Sequence, residues 1–189
     1  MAVDRSGKVF VTGISYGSGG DSDSATIAYS GAGVPLWTNR CSGSPSGVAA
    51  DGSGNVFVTG SSDHGFTSDY ATIAYSGAGV PLWTNCYSGS INDYANATAL
   101  AVDANGNVFV TGSSFGNDVG WDYATIAYSG AGVPLWTKRY NGPVEVLYNG
   151  PVYLPGGGYS KSSLAIGSDG AVYVTGASED GLFSLISSP

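Results

Sequence analysis

The chain has 189 residues, of which 42% are apolar and only 11% charged, with 31 glycines and 8 prolines. That is enough apolar material for the core of one domain or one compact array, and the glycines keep no three-residue period, which excludes collagen. A net charge of −8, from 6 basic against 14 acidic residues, argues against nucleic-acid binding; no apolar run is long enough to span a bilayer, and no basic, apolar leader is read at Met1.

In chain order the predicted elements come as copies of one unit. The segment Val-[Phe/Tyr]-Val-Thr-Gly ends at Gly13, Gly60, Gly112 and Gly176, in steps of 47, 52 and 64 residues. A turn precedes each: Asp4–Gly7, Asp51–Gly54, Asp103–Gly106 and Gly167–Gly170. The segment Ala25–Thr38 recurs unchanged as Ala71–Thr84 and Ala124–Thr137.

The third copy reads as four strands. Residues 97–102 form the first, and Asn105-Gly106 is a hairpin signal. Residues 107–113 follow, with Val108 and Val110 on one face and Phe109 and Thr111 on the other. The third strand is 123–128. The turn Ser129-Gly130-Ala131-Gly132 leads to the fourth, 133–140. Pro134 has no N–H to donate, which places that strand at a sheet edge. No segment holds a helical period. Apolar residues occur on both strand faces, so each sheet is expected to pack on both sides. Four-stranded antiparallel sheets of this size, stacked about an axis, describe an all-β propeller-type array. A β-solenoid is the alternative, though its repeats are usually shorter and have no need of tight Asn-Gly hairpins.

The motifs Asp51-Gly52-Ser53-Gly54-Asn55-Val56-Phe57-Val58-Thr59-Gly60-Ser61-Ser62, Asp69-Tyr70-Ala71-Thr72-Ile73-Ala74-Tyr75-Ser76 and Leu135-Trp136-Thr137-Lys138-Arg139-Tyr140 resemble the bacterial SBBP-type β-propeller repeat. The resemblance runs from about Ala2 to Ser178. It implies a propeller, often seven-bladed, in large secreted or cell-surface bacterial proteins, and it brings no catalytic residues to carry over.

The single array 1–189 divides into about four blades, three complete at approximately 2–41, 48–87 and 95–140 and one partial at 162–186. Residues 141–161 are an insertion in which Tyr140–Val144 is duplicated as Tyr148–Val152. It is a ligand-gripping flap, an added edge strand or a neutral loop. An open array leaves blade faces and strand edges uncovered. It can close as a four-bladed ring, pair with a second copy in a larger ring, or polymerise head to tail. A homo-oligomer is expected; a fragment of a longer propeller is the alternative.

Propeller topology puts the first-to-second and third-to-fourth turns at one end and the remaining loops at the other. The first end hardly differs between copies. The second differs in length and sequence, and 10 of the 14 acids map to it, Asp69, Asp93, Glu145, Glu179 and Asp180 among them. Asp63, Phe66, Tyr94, Phe115, Asp118, Trp121 and Asp122 are its candidate ligand-binding residues, because aromatics beside carboxylates suit sugar stacking with hydroxyl recognition, or a protein epitope. A merely solvated loop face is the alternative. Asp21 and Asp23 are calcium candidates as hard oxygen ligands, but no full calcium loop is present. Asp69 and Asp122, each placed just ahead of a strand, read better as turn caps than as metal ligands.

No catalytic residue is assigned and no cofactor is expected. His64 is a lone histidine in a turn. Gly13–Gly17 and Gly112–Gly116 match Gly-x-Ser-x-Gly without the helix that a nucleophile elbow needs. A carboxylate-dependent glycoside-acting enzyme is the remote reading. Cys41 and Cys86 replace different repeat residues and point to opposite strand faces, which argues against a disulfide between them. Trp37, Trp83 and Trp136 recur with the repeat and read as packing between blades. Two functions lead: a non-enzymatic binding or adhesion module for a glycan or protein, and a structural array whose open ends drive assembly.

Overall fold

Among the described residues, the strands of each sheet pair in chain order. The computed structural model describes residues 1–16, 22–63, 67–89, 94–116, 120–140, 163–175 and 186–188. Blade 1 comprises β1 (Ala2–Val3), β2 (Val9–Tyr16), β3 (Ser22–Tyr29) and β4 (Pro35–Ser42). Blade 2 comprises β5 (Ser44–Ala50), β6 (Val56–Asp63), β7 (Ser68–Tyr75) and β8 (Pro81–Tyr87). Blade 3 comprises β9 (Ala95–Val102), β10 (Val108–Gly116), β11 (Gly120–Tyr128) and β12 (Pro134–Tyr140). Of blade 4, β13 (Ser163–Ile166), β14 (Val172–Thr175) and β15 (Ile186–Ser188) are described. The result is an all-β array of antiparallel sheets, each ordered as its strands occur in the chain. The insertion 141–161 lies outside the described residues.

In each of blades 1, 2 and 3 the first turn is built by its aspartate. Asp103 Oδ1 accepts the backbone amides of Asn105 and Asn107 at 2.9 and 2.8 Å, and Asp51 and Asp4 do the same in their turns. Gly106 closes the turn onto the Asp103 carbonyl at 3.1 Å with φ of 83°. Only that glycine is left-handed, so Asn105-Gly106 belongs to a longer turn ending in a left-handed glycine rather than to a two-residue hairpin loop.

Prolines 35, 81 and 134 open the outermost strands β4, β8 and β12, where no further strand needs their missing donor. A register shift recurs beside each, pairing Tyr29 with Pro35, Tyr75 with Pro81 and Tyr128 with Pro134. β5 begins at Ser44, ahead of the first strand expected from residue 48. A bulge between Pro45 and Gly47 lets these turn-type residues stay in the ladder.

The two faces of a strand serve two neighbours. Val108 and Val110 of β10 join Phe57, Tyr70 and Ala74 of blade 2 in one core cluster. Phe109, between them, joins Val172 and Val174 of blade 4 in another. In blades 1, 2 and 3 paired threonines fill the middle of the sheet and satisfy each other. Thr12 and Thr26, Thr59 and Thr72, and Thr111 and Thr125 share hydroxyl hydrogen bonds of 3.1, 3.1 and 3.0 Å between the two central strands.

The recurrent tryptophans fasten one blade to the next. Trp37 lies between Phe10 of its own blade and Tyr75 of blade 2, with ring centroids 6.0 and 5.9 Å away. Its Nε1 donates to Gly77 O at 3.2 Å, and Asn39 Nδ2 donates to Gly79 O at 2.7 Å. Trp83 and Asn85 repeat this on Gly130 and Gly132 of blade 3 at 2.9 and 2.7 Å.

Candidate binding face

The constant end of the array holds a concavity of about 590 Å³ between the first turns of three blades. Asp4, Arg5, Asp51 and Asp103 line it. Its carboxylates are engaged in their own turns. Asp4 illustrates the electrostatics: burial raises its pKa, but bonds from the Ser6 hydroxyl and the Lys8 and Ser6 amides, with the charge of Lys8, together outweigh that and hold it below the usual value.

The variable end is organised by arginines. Arg139 lies on β12 opposite Ala124, diagonal to Asp122 on β11. Its Nε and Nη2 donate to Asp122 Oδ2 at 3.2 and 2.8 Å. Nη1 donates to the Tyr87 hydroxyl of blade 2 at 3.0 Å and to Ser114 Oγ at 3.2 Å. Nη2 also reaches the Ser114 carbonyl at 3.4 Å. These contacts occupy all five donors of the guanidinium. Burial opposes the charge on Arg139, and the Asp122 carboxylate and Tyr87 more than compensate, raising its pKa. Arg139 is therefore a fastener across the seam of blades 2 and 3, and it neutralises Asp122. Blade 1 carries a looser version: Arg40 Nη2 donates to Ser15 at 2.9 Å, and Arg40 Nη1 stands 3.7 Å from Asp23. In blade 2 the corresponding position is Cys86, whose thiol is pushed up by burial and then by the charge of Asp69.

The structure brings Tyr94, Phe115 and Asp122 to this one seam. The Phe115 amide donates to Tyr94 O at 3.0 Å, Tyr94 bridges to Ser68, and Ser114 links them to Arg139. Tyr94 is 48% exposed. Asp69 and Asp122 sit within β7 and β11 rather than in turns ahead of them. Their strands begin earlier than the sequence reading placed them, and Asp122 pairs with a strand neighbour instead of capping backbone amides. Asp23 stands 3.7 Å from Arg40 Nη1. Phe66, Asp118, Asp21 and His64 lie outside the described residues, as do the side chains of Asp63 and Trp121. Among the described residues no group of three or more His, Cys, Asp or Glu is placed to hold a metal ion. Cys41 and Cys86 are free thiols. Arg139, Arg40, Tyr87, Ser114 and Ser15 were not singled out in sequence. The available signal was the recurrence of Arg at one register, two positions out of step with an Asp on the facing strand.

Residues 44–67, spanning β5 and β6, match the family model SBBP, described as a beta-propeller repeat. The chain carries an SBBP β-propeller repeat. Among solved structures it is similar to a protein of unknown function from Bacteroides caccae, with 12% identity and a TM-score of 0.54 over 95% of this chain. It is also similar to the mannose phosphorylase MPT-4 from Leishmania mexicana, with 10% identity and a TM-score of 0.53 over 98% of this chain. The chain spans 57% and 65% of the lengths of those two proteins. At such identities the likeness establishes the fold alone. No curated protein matches the chain in sequence.

Proposed function

We propose that this propeller-type array is a non-enzymatic binding module that takes a glycan or a protein segment at the variable end, on the seam between blades 2 and 3, outside the cell. The observation that supports this is Tyr94, a half-exposed ring on a seam held rigid by the saturated Arg139 network. A half-exposed amphipathic ring suits the apolar face of a sugar or a peptide group. Two described carboxylates of this end, Asp23 and Asp122, are already engaged by arginines.

The test is a screen of the full chain on glycan and peptide arrays, followed by titration of the hits. Tyr94→Ala is expected to weaken a genuine hit by about tenfold without moving the thermal midpoint. Hits that neither Tyr94→Ala nor Tyr87→Phe alters would move binding away from this seam. Silence on both arrays would remove the reading.

A further inference from the structure

The corner where the third strand of a blade turns into the fourth is the same in blades 1, 2 and 3: Val34-Pro35-Leu36, Val80-Pro81-Leu82 and Val133-Pro134-Leu135. All nine of these residues are exposed. The valines are 58, 59 and 58% exposed, and the leucines 47, 49 and 51%. Blade 2 lies between two other blades, yet it is as bare at this corner as blades 1 and 3. The exposure therefore belongs to the repeat and not to a blade's place in the array.

The corner can be desolvated at little polar cost. Val80 N donates to Ser76 Oγ at 3.2 Å, and Val80 O accepts from Ser76 N at 2.8 Å. Val34 with Ser30, and Val133 with Ser129, do the same. The proline that follows has no N–H. Covering the corner buries aliphatic carbon without stranding those donors and acceptors. The proline also stops a further strand from pairing there, which leaves side-chain packing as the mode of contact. The tryptophans join the corners into one band. Trp37, next to Leu36, lies against Gly79, next to Val80; Trp83, next to Leu82, lies against Gly132, next to Val133.

We infer that this band is an interaction surface for a second copy of the chain, packed constant end to constant end about a two-fold axis. Three observations select that occupant. The band repeats one patch from blade to blade, and a second array presents the same patch at the same spacing. With the axis through blade 2, blade 2 meets blade 2 and blade 1 meets blade 3. The segment 30–38 and its copies carry no charged residue, so two chains of net charge −8 meet along the band without apposing carboxylates. An anionic membrane would repel the same chain. The band exposes on the order of 500 Å² of apolar surface, enough to mark an interaction site. Two copies bury about 1,000 Å² between them, the least that a specific interface takes. The surface lies at the end opposite Tyr94 and uses none of the residues of that binding face.

Sedimentation of the full chain over a concentration series tests this, with Leu82→Asp as the variant. Leu82 is 49% exposed, so the variant keeps the parent's circular dichroism and its thermal midpoint in dilute solution. Across the two-fold axis it sets two new carboxylates against each other. The parent is expected to dimerise reversibly, and Leu82→Asp to weaken the dimer by about tenfold or more. Leu36→Ser, Leu82→Ser and Leu135→Ser combined, which add no charge, should weaken it as well. Association that survives either variant unchanged runs through another surface and overturns the inference. So does a parent that stays monomeric at millimolar concentration, even one that floats with uncharged lipid vesicles, since the band would then have a different occupant.

Discussion

The indole of Trp37 lies so close to Gly79 of the next blade that a Cβ there would sit 2.7 Å from Trp37 Cγ. Trp83 and Gly132 stand in the same relation, also at 2.7 Å. All three turn glycines at this register are left-handed, with φ of 80° at Gly33, 82° at Gly79 and 80° at Gly132. Only Gly33 has open space around it. Gly33→Ala should therefore cost about 1 kcal/mol, the backbone penalty alone. Gly79→Ala and Gly132→Ala should cost about 1–3 kcal/mol more, because an indole must move. Urea unfolding of the three single variants checks this, and equal losses would mean the tryptophan seam is not tight.

Much of the fold was legible because strict repetition offers the same pattern several times over. The alternation of Val108 and Val110 against Phe109 is one blade's version of a two-faced strand, and the structure sends those residues to opposite neighbours. Pro134 and Trp136 were likewise readable from backbone chemistry and recurrence. The start of β5 was not, because Ser44-Pro45-Ser46-Gly47 has turn composition and only the bulge keeps it in register. The arginine network was hidden for a different reason. The sequence displays the carboxylates as charge on one end, without the cations that face them across a strand pair. Arg139 meets Asp122, Ser114 and Tyr87 from 17, 25 and 52 residues away. The Asp122 contact depends on a register displaced by the shift at Ala127 and Tyr128.

The buried tyrosines at the blade seams predict alkaline sensitivity. Burial pushes the Tyr75 hydroxyl up to about 12, with Cys41 adding to it. Burial does the same for Tyr128, also to about 12, helped by Cys86 and Tyr87. Between pH 10 and about 12 the unfolded chain loses these protons while the folded chain keeps them. Stability must then fall as pH rises through that window. The thermal midpoint should drop across it, and Tyr128→Phe should make the drop shallower. A midpoint that stays level from pH 9.5 upward would contradict the burial of these hydroxyls (~10 being the unfolded value).

Cys86 is exposed but its thiol is raised in pKa, first by burial and then by Asp69. Its alkylation by iodoacetamide should be slow at pH 7.5 for so accessible a position, since the thiolate is the reacting form. Asp69→Asn removes the second cause, so the rate at fixed pH should increase. Peptide mapping by mass spectrometry distinguishes Cys86 from Cys41. An unchanged Cys86 rate would show that the Asp69 charge does not reach the sulfur.

The two arginine networks should differ in strength although they share one register. Arg40 and Asp23 are 3.7 Å apart with side chains 48% and 38% exposed, while Arg139 and Asp122 are 2.8 Å apart with side chains 28% and 13% exposed. An exposed pair contributes about 0–1 kcal/mol and weakens with salt. A half-buried guanidinium with every donor engaged is harder to lose, because Asp122, Tyr87 and Ser114 lose a partner together. Arg40→Ala should cost under about 1 kcal/mol, less still in high salt. Arg139→Ala should cost about 1.5–3 kcal/mol with little salt dependence. Arg139→Lys should recover only part of that loss, since an ammonium cannot reproduce the planar fork. Urea unfolding of the three variants at low and high salt measures each term. Equal costs for Arg40→Ala and Arg139→Ala would show that the contacts to Tyr87 and Ser114 add nothing to the ion pair.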